Sequence, residues 1–91
     1  MGLKTTTVCL GYQQITDLSS STALTVPTGA TLALIVPETQ NVRWRDDGTA
    51  PTASVGMLVI ANSSMSYDGD LKKIRFIAAT AGAILNISYY A

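Results

Sequence analysis

Few residues in this chain have chemistry to offer. It holds no histidine and a single cysteine, Cys9. Its carboxylates are Asp17, Glu38, Asp46, Asp47, Asp68 and Asp70. General acid–base work needs a group poised near neutral pH, and histidine is the commonest choice. Two carboxylates across a cleft can serve instead, as in glycosidases. Here, however, Asp46 and Asp47 run into Gly48, and Asp68 and Asp70 bracket Gly69. In such Asp-Gly stretches the carboxylate bonds nearby backbone and holds a turn. The run Ser19-Ser20-Ser21 has no base beside it in sequence. These residues do not assemble an active site, and we expect no enzyme.

The same inventory bears on metals and cofactors. One Cys and no His exclude the common zinc sets. Asp68-Gly69-Asp70 invites calcium, but that ion needs six or more oxygens, and the acids of the helical calcium loop are missing. A tight β-turn is the better account. No glycine-rich loop ending in Lys cradles a phosphate. Cys9 sits in the apolar run Val8-Cys9-Leu10 and reads as a buried, inert thiol. No metal or cofactor is expected.

Six basic residues balance six acidic ones, for a net charge of zero. Lys72, Lys73 and Arg75 form the densest basic group, and Asp68 and Asp70 largely cancel its field. Nucleic acid requires clustered positive charge and is not expected as a partner. No stretch reaches transmembrane length, so neither is a membrane. No leader-like segment opens the chain, and we expect synthesis in a cytoplasm. Met1-Gly2 with Thr6, Asn62-Ser63-Ser64 and Asn86-Ile87-Ser88 match lipidation and glycosylation patterns of low specificity. We discount them, because the glycosylation pair would need a secretory route. Charged residues make up 13% of the chain, about half the usual ~25% of a soluble domain. A surface so poor in charge is suited to burial against partners.

The elements that would position these residues are short. Breaks fall at Pro27-Thr28-Gly29, 37–41, 46–51, 61–63, 68–70 and Ala81-Gly82. Between them lie β-prone runs, some with a period of two. Val42 and Trp44 alternate with Arg43 and Arg45. Ile74 and Phe76 alternate with Lys73 and Arg75. Leu85, Ile87 and Tyr89 alternate with Asn86, Ser88 and Tyr90. Alternation places one set on a single sheet face. Leu32–Val36 is apolar on both faces and reads as a central strand covered twice. We expect strands at 5–14, 22–26, 31–37, 41–46, 56–60, 64–67, 72–78 and 83–90. The whole of residues 1–91 then forms one domain: all-β, a small antiparallel β-sandwich of about eight strands, with a jelly roll as one arrangement they allow.

The most distinctive stretch is Asn41–Thr52. Arg and Trp are enriched at binding hot spots, so Arg43, Arg45, Asp46, Asp47, Thr49 and Pro51 are the candidate partner interface. The alternative for the arginines is surface pairing with Asp46 and Asp47. For Trp44 we expect burial in the core beside Val42, as the sole Trp of a small domain.

Val42-Arg43-Trp44-Arg45-Asp46-Asp47-Gly48-Thr49-Ala50-Pro51-Thr52 resembles a signature of small structural proteins of tailed bacteriophages. Similar spacing continues through Gly56-Met57, Tyr67–Leu71, Ile74–Ile77 and Leu85–Tyr90, so that the resemblance spans roughly residues 30–90. Ile60-Ala61-Asn62-Ser63 departs from it, standing where a Gly-containing turn is more usual. The resemblance implies a virion component made in the host bacterial cytoplasm: a capsid decoration or cement protein, a head-fibre base or a tail accessory. The partner would be a phage capsid or tail protein. A homo-oligomer is expected, with a trimer favoured on a capsid's local three-fold axis. The rival is a carbohydrate-binding or tail-accessory module that displays Tyr12, Trp44, Tyr67, Tyr89 and Tyr90 as sugar platforms.

Overall fold

The computed structural model describes residues 7–91. The first expected strand therefore begins outside the described residues. Eight strands and no helix make up these residues: β1 (Cys9–Ile15), β2 (Thr22–Ala23), β3 (Leu32–Glu38), β4 (Val42–Arg45), β5 (Met57–Val59), β6 (Met65–Tyr67), β7 (Arg75–Ala78) and β8 (Ile84–Tyr90). They form two four-stranded antiparallel sheets, ordered β1-β8-β3-β6 and β2-β7-β4-β5. The pairs β1–β8, β2–β7, β3–β6 and β4–β5 are nested. A long hairpin rolled into a two-layer sandwich pairs its strands in this way, and the fold is a jelly roll.

Alternation explains which side chains meet between the layers. Ala33, Ile35 and Pro37 of β3 point inward, as do Leu85, Ile87 and Tyr89 of β8; all are buried. Across the gap, Val42 and Phe76 are fully buried. Pro37 lacks an N–H, yet its strand is tolerant at that point. β6 pairs only with Ala33–Ile35, and the Pro37 carbonyl on that side accepts the Asn62 N–H at 2.7 Å. Asn62 itself takes a left-handed φ of 69°, a conformation that Asn tolerates better than most non-Gly residues. The turn at 60–63 thus uses Asn where glycine is more usual.

Three expectations need correction. Trp44 shares a face with Val42 but is only half-buried. It lies at the end of β4, against the rim of the core, with its ring meeting Tyr67 edge-on at 5.8 Å and 63°. Phe76, its neighbour in register, occupies the central position instead. Cys9 is exposed rather than buried. The outer face of β3 is also less covered than expected: Leu34 remains 37% exposed.

A polar link ties β8 and β1 to the segment that follows β2. The buried Tyr89 hydroxyl donates to Gln13 Oε1 at 2.7 Å, and the Thr25 N–H donates to the same oxygen at 3.1 Å. Burial pushes the Tyr89 hydroxyl up to about 12.

Candidate partner interface

β4 and β5 run antiparallel, pairing Arg43 with Leu58 and Trp44 with Met57. The connection between them, residues 46–56, folds back over β4. Alternation sends Arg43 to the face opposite Trp44. There its Nε donates to the Ala53 carbonyl at 3.1 Å and its Nη1 to the Gly56 carbonyl at 3.0 Å. Arg43 is therefore a clamp on the connection. Pro51 is buried beneath it. Gly56 has φ +144°, and an added Cβ would lie 3.1 Å from the Trp44 carbonyl oxygen and 3.2 Å from Pro51 Cβ. A side chain at 56 would strain the backbone and push the Trp44 carbonyl and Pro51 back by a few tenths of an ångström.

Arg45 engages Asp47 in a bidentate pair, Nε to Oδ1 at 3.0 Å and Nη2 to Oδ2 at 2.5 Å. Two parallel charge-assisted bonds hold the Asp47 carboxyl at about 2, below the ordinary carboxylate range. The same Oδ1 accepts the Thr49 N–H at 3.3 Å and shapes the turn. Asp46 accepts the Tyr67 hydroxyl at 2.6 Å. Partial burial, and then this bond, push Tyr67 up to about 12. Of the six expected interface residues, Arg43 and Arg45 thus lie on β4, and Asp46, Asp47, Thr49 and Pro51 lie on the connection that follows it. Both guanidiniums are already engaged within the chain, and Asp46 and Pro51 serve its internal structure. Asp47 and Thr49 are exposed.

Beside these residues opens a cleft of about 330 Å³, lined by Trp44, Arg45, Asp46, Asp47, Val55, Gly56 and Met57. The indole and Met57 make it apolar, and the Arg45–Asp47 pair gives it a charged rim. Four apolar side chains stand exposed along this segment: Val55 at 53% and Met57 at 59% beside the cleft, and Leu58 at 47% and Ile60 at 53%, which alternation places on the opposite face of β5. Reasoning on the arginines missed them. The signal was present, since no Asp, Glu, Lys or Arg occurs between Asp47 and Asp68.

The other carboxylates behave as turn residues. Asp17 Oδ1 accepts the Ser19 hydroxyl and N–H, which hold its carboxyl below the ordinary range. Asp70 Oδ1 accepts the Lys72 N–H. Among the described residues, no three of His, Cys, Asp and Glu come close enough together to hold a metal ion. Among the described residues, too, no helix is long and apolar enough to cross a membrane. Comparison with protein-family models, with curated proteins and with solved structures finds no match for this chain.

Proposed function

We propose that this chain is a structural protein of a bacteriophage particle, a jelly-roll module that seats on the capsid surface as a decoration or cement protein. The observation that carries the reading is the apolar cleft at Trp44, Val55 and Met57, with Val55 and Met57 exposed at its mouth. It lies against the stretch that resembles phage structural proteins. Exposed apolar patches rimmed by polar groups mark sites of protein contact. A decoration protein spans neighbouring subunits and adds buried area across their seams. Each shell repeats the contact many times, so a modest affinity per copy suffices through avidity.

The aromatic side chains favour a protein partner over a sugar. Tyr89 is buried, Tyr67 and Trp44 cross edge-on, and Tyr90 is half-buried. Of the five rings only Tyr12 stands well clear of the surface, at 64% exposure. A sugar platform needs rings presented to solvent beside polar donors, and one such ring is too few.

The test adds purified protein to particles that lack it and measures occupancy by electron microscopy. Wild type should fill defined lattice positions. Val55→Asp with Met57→Asp should fold normally and leave those positions empty. Full occupancy by this variant would remove the cleft from the binding surface, and no binding by wild type would overturn the capsid reading.

A further inference from the structure

A two-sheet sandwich has four edges, and each exposes backbone N–H and C=O groups that can pair with another chain. Three of the four are blunted here. β2 is only Thr22–Ala23. β1 carries a bulge between Cys9 and Gly11, which breaks the regular row of donors and acceptors. β6 places the polar Ser66 outward and runs into Asp68. β5 is also short, at three residues, but it carries neither a bulge nor an outward polar side chain. It is regular over Met57–Val59, contains no proline and no charge, and is flanked by the exposed Val55 and Ile60.

We propose that β5 pairs with β5 of a second copy, antiparallel about a two-fold axis at Leu58, to form a homodimer with a continuous eight-stranded sheet. Antiparallel pairing makes a strand its own complement: the row of donors and acceptors along β5 matches the same row turned end for end. This register sets Leu58 opposite Leu58 of the partner, Met57 opposite the partner's Val59, and Gly56 opposite the partner's Ile60. The side chains agree with it. Leu58 and Ile60 of both copies gather on one face as a single apolar ridge. On the other face, the exposed Met57 covers the nearly buried Val59 of its partner. A partner strand bearing charge would find no counter-charge between Asp47 and Asp68, whereas a second copy of β5 brings only apolar groups. The dimer would also set two Trp44 clefts on either side of one joint. The inference does not rest on the capsid reading, because the edge belongs to the isolated protein.

The experiment uses Leu58→Glu and Leu58→Lys, both on an approximately half-exposed side chain, with circular dichroism to establish that each variant folds. Like charges directly opposite one another repel. Wild type should sediment as a dimer that dissociates on dilution. Each variant alone should be monomeric at concentrations where wild type is dimeric, with dimerisation weakened roughly tenfold or more. An equimolar mixture of the two variants should restore a dimer, since Glu then faces Lys. A wild-type monomer at every concentration, or a wild-type trimer, would overturn the proposal. So would variants that dimerise like wild type, because the contact would then lie elsewhere. Monomeric variants that fail to pair on mixing would overturn the two-fold register at Leu58.

Discussion

β1 and β5 are both edge strands, but the chain treats them differently. Over the outer face of β1 runs a closed polar network. The Tyr12 hydroxyl and Gln14 Nε2 both donate to Asn86 Oδ1, at 2.5 and 3.0 Å, and Asn86 Nδ2 donates to Glu38 Oε1 at 2.8 Å. That network ties β1 to β8 and β3, so the exposed Tyr12 is already occupied. On the inward side Gln13 secures Tyr89. Around β5 the side chains are Val55, Met57, Leu58 and Ile60, about half exposed, and none of them can hydrogen-bond. The difference shows where the low charge of the chain matters. Apolar side chains are exposed beside β1 as well, Val8 at 53% and Leu10 at 37%, but there a polar network ties the strand to its neighbours, and β5 has none.

If that contrast is sound, truncations should hurt in proportion to their place in the shared core. Phe76→Ala should cost about 3–5 kcal/mol, the usual penalty for emptying a fully buried aromatic site. Trp44→Ala, at the open flank, should cost clearly less, about 1–3 kcal/mol. Denaturant unfolding of both variants checks the order. Equal costs would mean that the Trp44 end of the sandwich is as closed as its centre. Gln13→Ala comes next. It strips the buried Tyr89 hydroxyl of its acceptor and the Thr25 N–H of its partner, which should cost about 1–3 kcal/mol. Val55→Asp with Met57→Asp, by contrast, should change the stability of the monomer by about 0.5 kcal/mol or less.

How much of this was legible in the sequence follows from which residues alternate. All eight expected strands overlap the eight observed ones, because Val42/Phe76-type alternation and the Gly, Pro, Asn and Asp breaks are local signals. The nesting of those strands is a long-range property, so the jelly roll was only one arrangement among several. Trp44 was misplaced because period two fixes a face but not a depth. Val42 and Trp44 share a face, yet only Val42 lies far enough from the sheet's end to be covered. The internal bonds of Arg43 were hidden for a related reason. Pattern places Arg43 outward, but it cannot show that the connection after β4 returns to lay the Ala53 and Gly56 carbonyls over it.

Alkaline pH should touch both flanks at once. Tyr89 on the closed side and Tyr67 on the open side are both raised from the ordinary value of 10 to about 12. The neutral hydroxyl is therefore favoured in the folded state. Its stabilising contribution is complete below pH 10 and is lost as pH rises toward 12, because the unfolded chain ionises first. Unfolding midpoints should fall over that window. Tyr89→Phe and Tyr67→Phe should each flatten part of the fall. A midpoint constant to pH 12 would contradict the burial of the Tyr89 and Tyr67 hydroxyls.

The smallest effect should come from the charged rim of the cleft, where stability and binding can be separated. Asp47 is held at about 2 by Arg45. A carboxylate with a depressed folded value contributes stability that is present above its unfolded value near 3.8 and is lost as pH falls toward 2. The pair lies at the surface, however, with Asp47 54% exposed, and solvent screening leaves such exposed pairs little weight in stability. Arg45→Ala and Asp47→Asn should therefore unfold almost as wild type does, with only a slight difference between pH 4 and 2. Arg43→Ala should cost more than either, because it releases the two carbonyls that hold residues 53–56 in place. If the rim contacts the capsid, Arg45→Ala will lower particle occupancy while its unfolding curve stays near that of wild type. Unchanged occupancy with Arg45→Ala, alongside lost occupancy with Met57→Asp, would assign recognition to the apolar floor of the cleft and leave the Arg45–Asp47 pair only the shaping of its edge.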